Sequence, residues 1–261
     1  MRKQIVASLL ALLASGPVLA QDAEALRIGV EASYPPFSYK KPDGSLAGFE
    51  IEIGNALCAD MQVRCTWVEQ PFDGLIPALR VKKIDGIMSS MTVTTERLKV
   101  VDFSRSYYKT PARFVTRKDR PVITAEGPLD GLRVAVLRGS VHARYVQDKL
   151  VPRGVVMVQY GSQQEADLDL ISGRVDAMMA DAINLKENFL QSEGGKDFAF
   201  NGPSYSEEEY FGKGAGIAFR KGNEALMGRF NQALDNIGRN GTYQKIYESY
   251  FPDGEVSKLI D

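Results

Sequence analysis

Histidine, cysteine and tryptophan are scarce in this chain: its 261 residues contain one His, two Cys and one Trp. One imidazole and two thiols cannot assemble a His/Cys metal cage within a single chain, so no metal site is expected. Excess charge of one sign is missing too. Lys and Arg number 32 against 33 Asp and Glu, a formal charge of −1. Nucleic acids and anionic membrane surfaces are bound through basic excess, so neither is expected as a main partner. The most extended apolar run, residues 5–14 (IVASLLALLA), falls short of the roughly 20 residues that span a bilayer. What remains is ordinary globular usage, 44% hydrophobic and 25% charged, which excludes a disordered or low-complexity chain.

That apolar run sits in a recognisable setting. Arg2 and Lys3 precede it, Ser15-Gly16-Pro17 breaks it, and Val18-Leu19-Ala20 places small residues before Gln21. The pattern is that of a secretory signal peptide, so residues 1–20 are expected to be removed on export. No cysteine lies near the cleavage point, and a lipid anchor is not expected. Export changes how Cys58 and Cys65 are read. In an oxidising compartment two cysteines this close usually pair, here tying a helix end to the strand after it. Two buried free thiols are the alternative. Their spacing (CADMQVRC) is not the Cys-x-x-Cys of a redox site.

Along the chain, β-prone runs alternate with helical spacing. Residues 26–30 (LRIGV) predict a strand, and residues 31–37 (EASYPPF) a loop, because Pro35 and Pro36 cannot serve a regular ladder. Phe49, Ile53, Leu57 and Met61 fall at helical spacing, with Glu50 and Glu52 where the helix dipole favours anions. Residues 65–68 predict a strand, Asp73 the cap of a short helix, residues 84–91 (IDGIMSSM) a strand, and Thr95-Glu96-Arg97 a further helix start. This alternation indicates an α/β chain.

The plan repeats. Residues 132–137 (LRVAVL) echo 26–31 (LRIGVE), and 175–181 (VDAMMAD) echo 84–90 (IDGIMSS). The repeated order predicts two α/β lobes. Aligning Asp85 with Asp176 sets Ser90 opposite Asp181, each at the carboxyl end of an expected strand, where open α/β sheets bind ligands. Ser89, Ser90 and Thr92 would then line one wall of a cleft and Asp181 the other.

Several residues there have two readings. Arg97 is either a surface arginine or a fork for a carboxylate. Asp181 is either the cap of a helix over residues 182–189 or a partner for an amine. Tyr34 and Phe72 are either core aromatics or two faces enclosing a planar cation. Glu31 is either a solvated charge or that cation's counter-ion. Equipment for catalysis is poor. His142 is the single imidazole, and Ser140-Val141-His142 lacks a Gly-x-Ser-x-Gly elbow; residues 137–142 fit better as backbone donors for an anion at a helix start. Residues 211–216 (FGKGAG) lack the order of a phosphate loop and read as a crossing strand or hinge.

Taken together, YPPFSYK, GFEIEIGNALC, FDGLIPAL, KKIDGIMSSMTVTTER, VLRGS, GRVDAMMAD and GTYQKIYESYF resemble the periplasmic polar amino-acid-binding proteins of ABC importers, solute-binding protein family 3. Almost all of the chain after residue 20 takes part. The lysine/arginine/ornithine- and histidine-binding group is most similar, and WVEQPFDGLIPAL and YYKTPARFV fit its arginine/ornithine-binding members best. The resemblance implies a two-lobed clamshell, each lobe a central sheet flanked by helices, joined by two crossing hinge strands. It implies that Arg97 and Thr92, with the Val141 N–H, hold an α-carboxylate. Ser90 and Asp181 would hold the α-ammonium, Tyr34 and Phe72 enclose the side chain, Ser89 line it, and Glu31 face its cationic tip. It also implies a Cys58–Cys65 disulfide. Two departures stand out: Glu31 replaces an aspartate common in the group, and Val141 replaces a threonine, which removes a hydroxyl but keeps the main-chain donor.

The expectation is therefore a periplasmic, monomeric receptor without cofactor. It would bind arginine, then ornithine or lysine, and deliver it to an ABC-transporter membrane permease. The alternatives are binding of histidine or an opine, or a periplasmic dehydratase of a small carboxylic acid on the same fold. The first lobe is expected over 21–110, the second over 111–207, and the return strand with the rest of the first lobe over 208–261.

Overall fold

The echoed segments fold into matching brackets. In strand Ala25–Val30, Arg27 donates from its backbone N–H and Nε to Asp85 Oδ2 and from Nη2 to Asp85 Oδ1, each at 3.0 Å. Its Nη2 also reaches the Lys82 carbonyl at 2.9 Å. In strand Arg133–Leu137, Arg133 treats Asp176 the same way at 2.9–3.0 Å and reaches the Gly173 carbonyl at 2.9 Å. Both aspartates return a backbone bond, Asp85 N–H to the Arg27 carbonyl and Asp176 N–H to the Arg133 carbonyl. The guanidinium fork matches a carboxylate in plane. At these half-exposed positions it sets register more than it adds stability. The computed structural model describes residues 25–123, 128–254 and 256–259. The expected leader, residues 1–20, lies outside them.

Each bracket anchors a five-stranded sheet of the same plan. In the first sheet the order is Arg64–Glu69, Ala25–Val30, Gly86–Ile87, Ala218–Arg220, Val101–Phe103. In the second it is Val156–Tyr160, Arg133–Leu137, Ala177–Asp181, Ala112–Arg117, Phe198–Tyr205. The first three strands of each are parallel, and the fourth is antiparallel to the third. In both sheets that fourth strand has just arrived from the other lobe. Central parallel strands are covered on both faces and read as near-continuous apolar runs; Arg133–Leu137 and Ala177–Asp181 are buried at four of five positions each. The helix Phe49–Asp60 adds Phe49, Ile53 and Leu57 to the first core, where Phe230 and Leu234 of helix Glu224–Arg239 meet them. Cys58 and Cys65 form a disulfide, joining that helix's last turn to strand Arg64–Glu69.

Two crossings join the lobes. One runs through Tyr108–Lys109 and Thr110-Pro111 into Ala112–Arg117. The other returns through residues 212–215. Ala215 N–H donates to the Tyr108 carbonyl at 2.9 Å and Tyr107 N–H to the Ala215 carbonyl at 3.0 Å, so the two lie side by side. A Cβ at Gly212 would stand 2.1 Å from the Val93 carbonyl oxygen, and one at Gly214 2.5 Å from that of Tyr108, so glycine is needed at both. Tyr210 and Phe211, of helix Glu208–Phe211, pack with Ala112, Phe114 and Val141 in the second core.

Four local expectations need correction. Residues 31–37 are not all loop: Ser33–Tyr34 pairs with Ser38–Lys40, and the two prolines occupy the turn, where no ladder donor is needed. Asp73 caps nothing. The N-cap of helix Phe72–Arg80 is Pro71, and the Asp73 carboxylate faces Arg138 of the other lobe at 3.5 Å. Of residues 84–91, Gly86–Ile87 alone is strand; the bends beyond it turn Ser89 and Ser90 towards the cleft. The helix expected over 182–189 is α-helical for Ala182–Asn184 and continues as a π-helix, Leu185–Leu190.

Candidate functional site

In both sheets the strand order reverses between the first and third of the parallel strands, Ala25–Val30 and Gly86–Ile87 in one and Arg133–Leu137 and Ala177–Asp181 in the other, and ligands of open parallel sheets settle beyond the carboxyl ends at such a point. In the first lobe, strand Ala25–Val30 runs out into Glu31, and Gly86–Ile87 into Ser89 and Ser90. In the second, Arg133–Leu137 runs out towards Ser140 and Val141, and the other strand ends on Asp181. These four ends converge on a cavity lined by all nine expected residues: Glu31, Tyr34, Phe72, Ser89, Ser90, Thr92, Arg97, Val141 and Asp181. Leu137, Ser140 and His142 line it as well. All three fall in the 137–142 stretch that the sequence offers as backbone donors, with His142 also the single imidazole considered for catalysis.

The cationic end is built around Arg97. Thr94 caps the helix Thr95–Leu98, its Oγ1 accepting the Arg97 N–H at 3.2 Å. The guanidinium donates from Nη1 to the Thr92 carbonyl at 2.9 Å and from Nη2 to the Gly139 carbonyl of the other lobe at 3.1 Å. It lies over the Phe72 ring, 5.4 Å from its centroid, a favourable cation–π placement. Burial lowers its pKa to about 10, against the attraction of Asp181, and it stays charged at neutral pH. This is not a surface arginine. Beside it Ser140 caps helix Val141–Tyr145, accepting the Ala143 N–H at 3.1 Å. First-turn amides have no acceptor within their own helix, and Val141 supplies one of them.

Asp181 stands on the opposite wall. It is the N-cap residue of helix Ala182–Asn184, yet its side chain makes no capping bond. Its Oδ2 accepts the Tyr34 hydroxyl at 2.8 Å, and its backbone N–H donates to the same hydroxyl at 3.1 Å. Burial pushes the carboxyl up to about 7, while Tyr34 and Arg97 pull it down. His142 Nε2 lies 3.8 Å from Asp181 Oδ1 and is buried without a hydrogen-bond partner among the described residues. Burial and the nearby Arg97 hold that imidazole down at about 3, so it is neutral.

Glu31 forms a second anionic point. It is 4% exposed, which removes the solvated-charge reading. Its Oε1 accepts the Ser33 N–H at 3.1 Å and the Ser33 hydroxyl. Its own N–H donates to Ser89 Oγ at 3.0 Å. Oε2 is buried and has no hydrogen-bond partner among the described residues, an acceptor available to the cavity. Burial raises its pKa, with Ser33 opposing.

A chamber between two lobes, with one cation and two carboxylates fixed on its walls, suits a small zwitterion. Sequence comparison agrees, since residues 26–253 match the bacterial extracellular solute-binding proteins, family 3. The chain belongs to that family. This family 3 solute-binding protein is 52% identical over 252 residues to the L-arginine-binding protein of Pseudomonas aeruginosa, covering 96% of this chain and 97% of that one. It is 41% identical over 228 residues to the lysine/arginine/ornithine-binding periplasmic protein of Escherichia coli, covering 87% and 88%. Among solved structures, a Salmonella typhimurium periplasmic binding protein described for its high arginine specificity matches with a TM-score of 0.79 at 35% identity, covering 88% of this chain and 100% of that one. The two-lobed α/β clamshell of this solute-binding protein is thus shared with proteins named for binding amino acids.

Proposed function

We propose that this protein captures a cationic L-amino acid in the periplasm, arginine first and ornithine or lysine next, and delivers it to an ABC-type import permease. One observation carries the reading: the three charges of the cavity, Arg97, Asp181 and Glu31, are the complement of arginine's three. Arg97 and Thr92, with the Val141 N–H, take the α-carboxylate. Ser90 and Asp181 take the α-ammonium. Tyr34 and Phe72 enclose the side chain, Ser89 lines it, and Glu31 receives the guanidinium. Leaving any of these charges buried and unpaired would cost several kcal/mol. A planar guanidinium stacks on aromatic faces and offers two parallel donors to one carboxylate, which favours arginine over ornithine. The relatives named for arginine and for lysine/arginine/ornithine support the same ligand class. We take residues 21–110 with 212–261 as one lobe and 111–211 as the other, acting as a monomer without catalysis.

Calorimetric titration with arginine, ornithine, lysine, histidine, glutamine, glutamate and an opine tests this, with mass spectrometry of the recovered ligand. Arginine should bind most tightly and return unchanged. Preference for glutamate or glutamine would overturn the cationic reading. A dehydrated product would overturn the receptor reading.

A further inference from the structure

We propose that Glu50, which stands behind the cavity wall, and Tyr108, which lines the smaller pocket beside it with Ser90 and Asp181, are positioning residues that hold Ser90 in the geometry that receives the ligand's ammonium. The proposal rests on the assignment of Ser90 to that ammonium. Ser90 has φ +49°, a left-handed conformation that residues with a Cβ seldom adopt and that has to be held by its surroundings. Two bonds hold it from behind. Its backbone N–H donates to Glu50 Oε2 at 2.8 Å, and its Oγ accepts the Tyr108 hydroxyl at 2.8 Å. One bond fixes the peptide and the other fixes the side chain.

Both holders are themselves immobilised. Glu50 is fully buried and Tyr108 is 1% exposed. The other Glu50 oxygen accepts the Tyr107 hydroxyl, and the Tyr107 carbonyl accepts the Tyr243 hydroxyl at 2.6 Å. The Tyr108 ring stacks on Phe37 and meets the edge of Phe49. The helix dipole does not explain why Glu50 is buried. Glu52, in the same first turn, is exposed and reaches Tyr250, and an anion at a helix start needs no more than that. A carboxylate withdrawn from water and met by neutral donors is costly. Its placement under the Ser90 amide gives that cost a purpose: the amide of a strained residue is pinned by a carboxyl oxygen that is itself fixed in place.

The test is a ligand-by-variant comparison by calorimetry, using L-arginine and 5-guanidinopentanoate, which is arginine without its α-amino group. Glu50→Met removes the acceptor and should weaken arginine at least tenfold while changing the deaminated ligand less than twofold. Glu50→Gln keeps an acceptor for the Ser90 N–H and should stay within about threefold of wild type for both. Tyr108→Phe removes one hydroxyl and should weaken arginine at least threefold and the analogue not at all, which keeps the proposal testable if Glu50→Met fails to fold. Equal losses for both ligands, no loss for arginine in Glu50→Met or Tyr108→Phe, or a Glu50→Gln as damaged as Glu50→Met would overturn it. Ser90→Ala, run alongside, separates this from the underlying assignment: if that variant binds arginine like wild type, the Ser90 reading itself fails.

Discussion

The Tyr34 hydroxyl and the Asp181 carboxylate meet across the cleft at 2.8 Å, and the Asp181 N–H returns a bond to the same oxygen at 3.1 Å. One phenol from the first lobe thus clasps the strand end that carries the second lobe's anion. Asn184 Nδ2 adds a bond to the Pro35 carbonyl beside it. Tyr34→Phe keeps the ring but removes the clasp. A hydrogen bond to a charged group contributes about 1.5–3 kcal/mol, so arginine affinity should fall about tenfold or more at neutral pH, as read by calorimetry. An unchanged affinity would show that the clasp does not help hold the lobes around the ligand.

The same carboxylate predicts a proton-linked affinity. Asp181 is raised from 3.8 to about 7 by burial. Arg97, Tyr34, Glu50 and His142 surround it, and His142, near 3, stays neutral over this range. An ammonium beside Asp181 requires the ionised form. Arginine affinity should therefore rise as pH rises towards 7 and level off above it, with proton release on binding below 7. The free protein should behave in the opposite sense. The Asp181 contribution to stability is fully present below pH 3.8 and is lost as pH rises through about 7, because the folded chain keeps a proton the unfolded chain has released. Titrations at pH 6 and pH 8 in buffers of different ionisation enthalpy measure the released proton directly.

Arg97→Ala removes the site's cation together with its bond to Gly139. Truncating one partner of a buried charge pair costs about 2–5 kcal/mol, so arginine binding should drop by two to three orders of magnitude while circular dichroism stays native. Retained affinity would remove Arg97 from the carboxylate clamp.

Glu31→Gln separates specificity from affinity. The change should weaken arginine by about 1–3 kcal/mol and neutral amino acids much less, in a competition series on both proteins. Equal loss for every ligand would mean that Glu31 does not choose the side chain.

The disulfide closes a short loop between helix and strand, for which the chain-entropy relation gives about 2–3 kcal/mol. Protein isolated from the periplasm should contain no titratable thiol when denatured, and Cys58→Ser with Cys65→Ser should unfold at lower denaturant concentration.

Much of this site could be read before any coordinates. Strand ends carry the residues that line the cavity, and the LRIGV/LRVAVL and IDG/VDA echoes point to those ends, because the Arg27–Asp85 and Arg133–Asp176 brackets recur at corresponding strand positions although 58 residues separate the first pair and 43 the second. What escaped reading depends on contacts between elements far apart in sequence. Glu50 fits a helix dipole in isolation; only the packing of its helix against residues 89–90 turns it inward. Asp73 has the chemistry of a cap, but Pro71 already starts that helix, which leaves the carboxylate to the other lobe. His142 offered one imidazole and no partner in sequence; its place in the cavity follows from how helix Val141–Tyr145 leaves its sheet. The hairpin at Ser33–Tyr34 was hidden by the two prolines that form its turn.

The return strand Ala218–Arg220 lies inside the first sheet, between Gly86–Ile87 and Val101–Phe103, and this orders how the molecule assembles. The second sheet draws all five strands from residues 112–205 and can be completed from one uninterrupted stretch of chain. The first begins earlier in the sequence but lacks its fourth strand until that stretch has passed. When the chain appears N-terminus first, the second lobe is able to close its core first, while the first presents an open sheet edge, the kind of surface that pairs wrongly or aggregates. The half of the site contributed first by the sequence is thus the last to become solid.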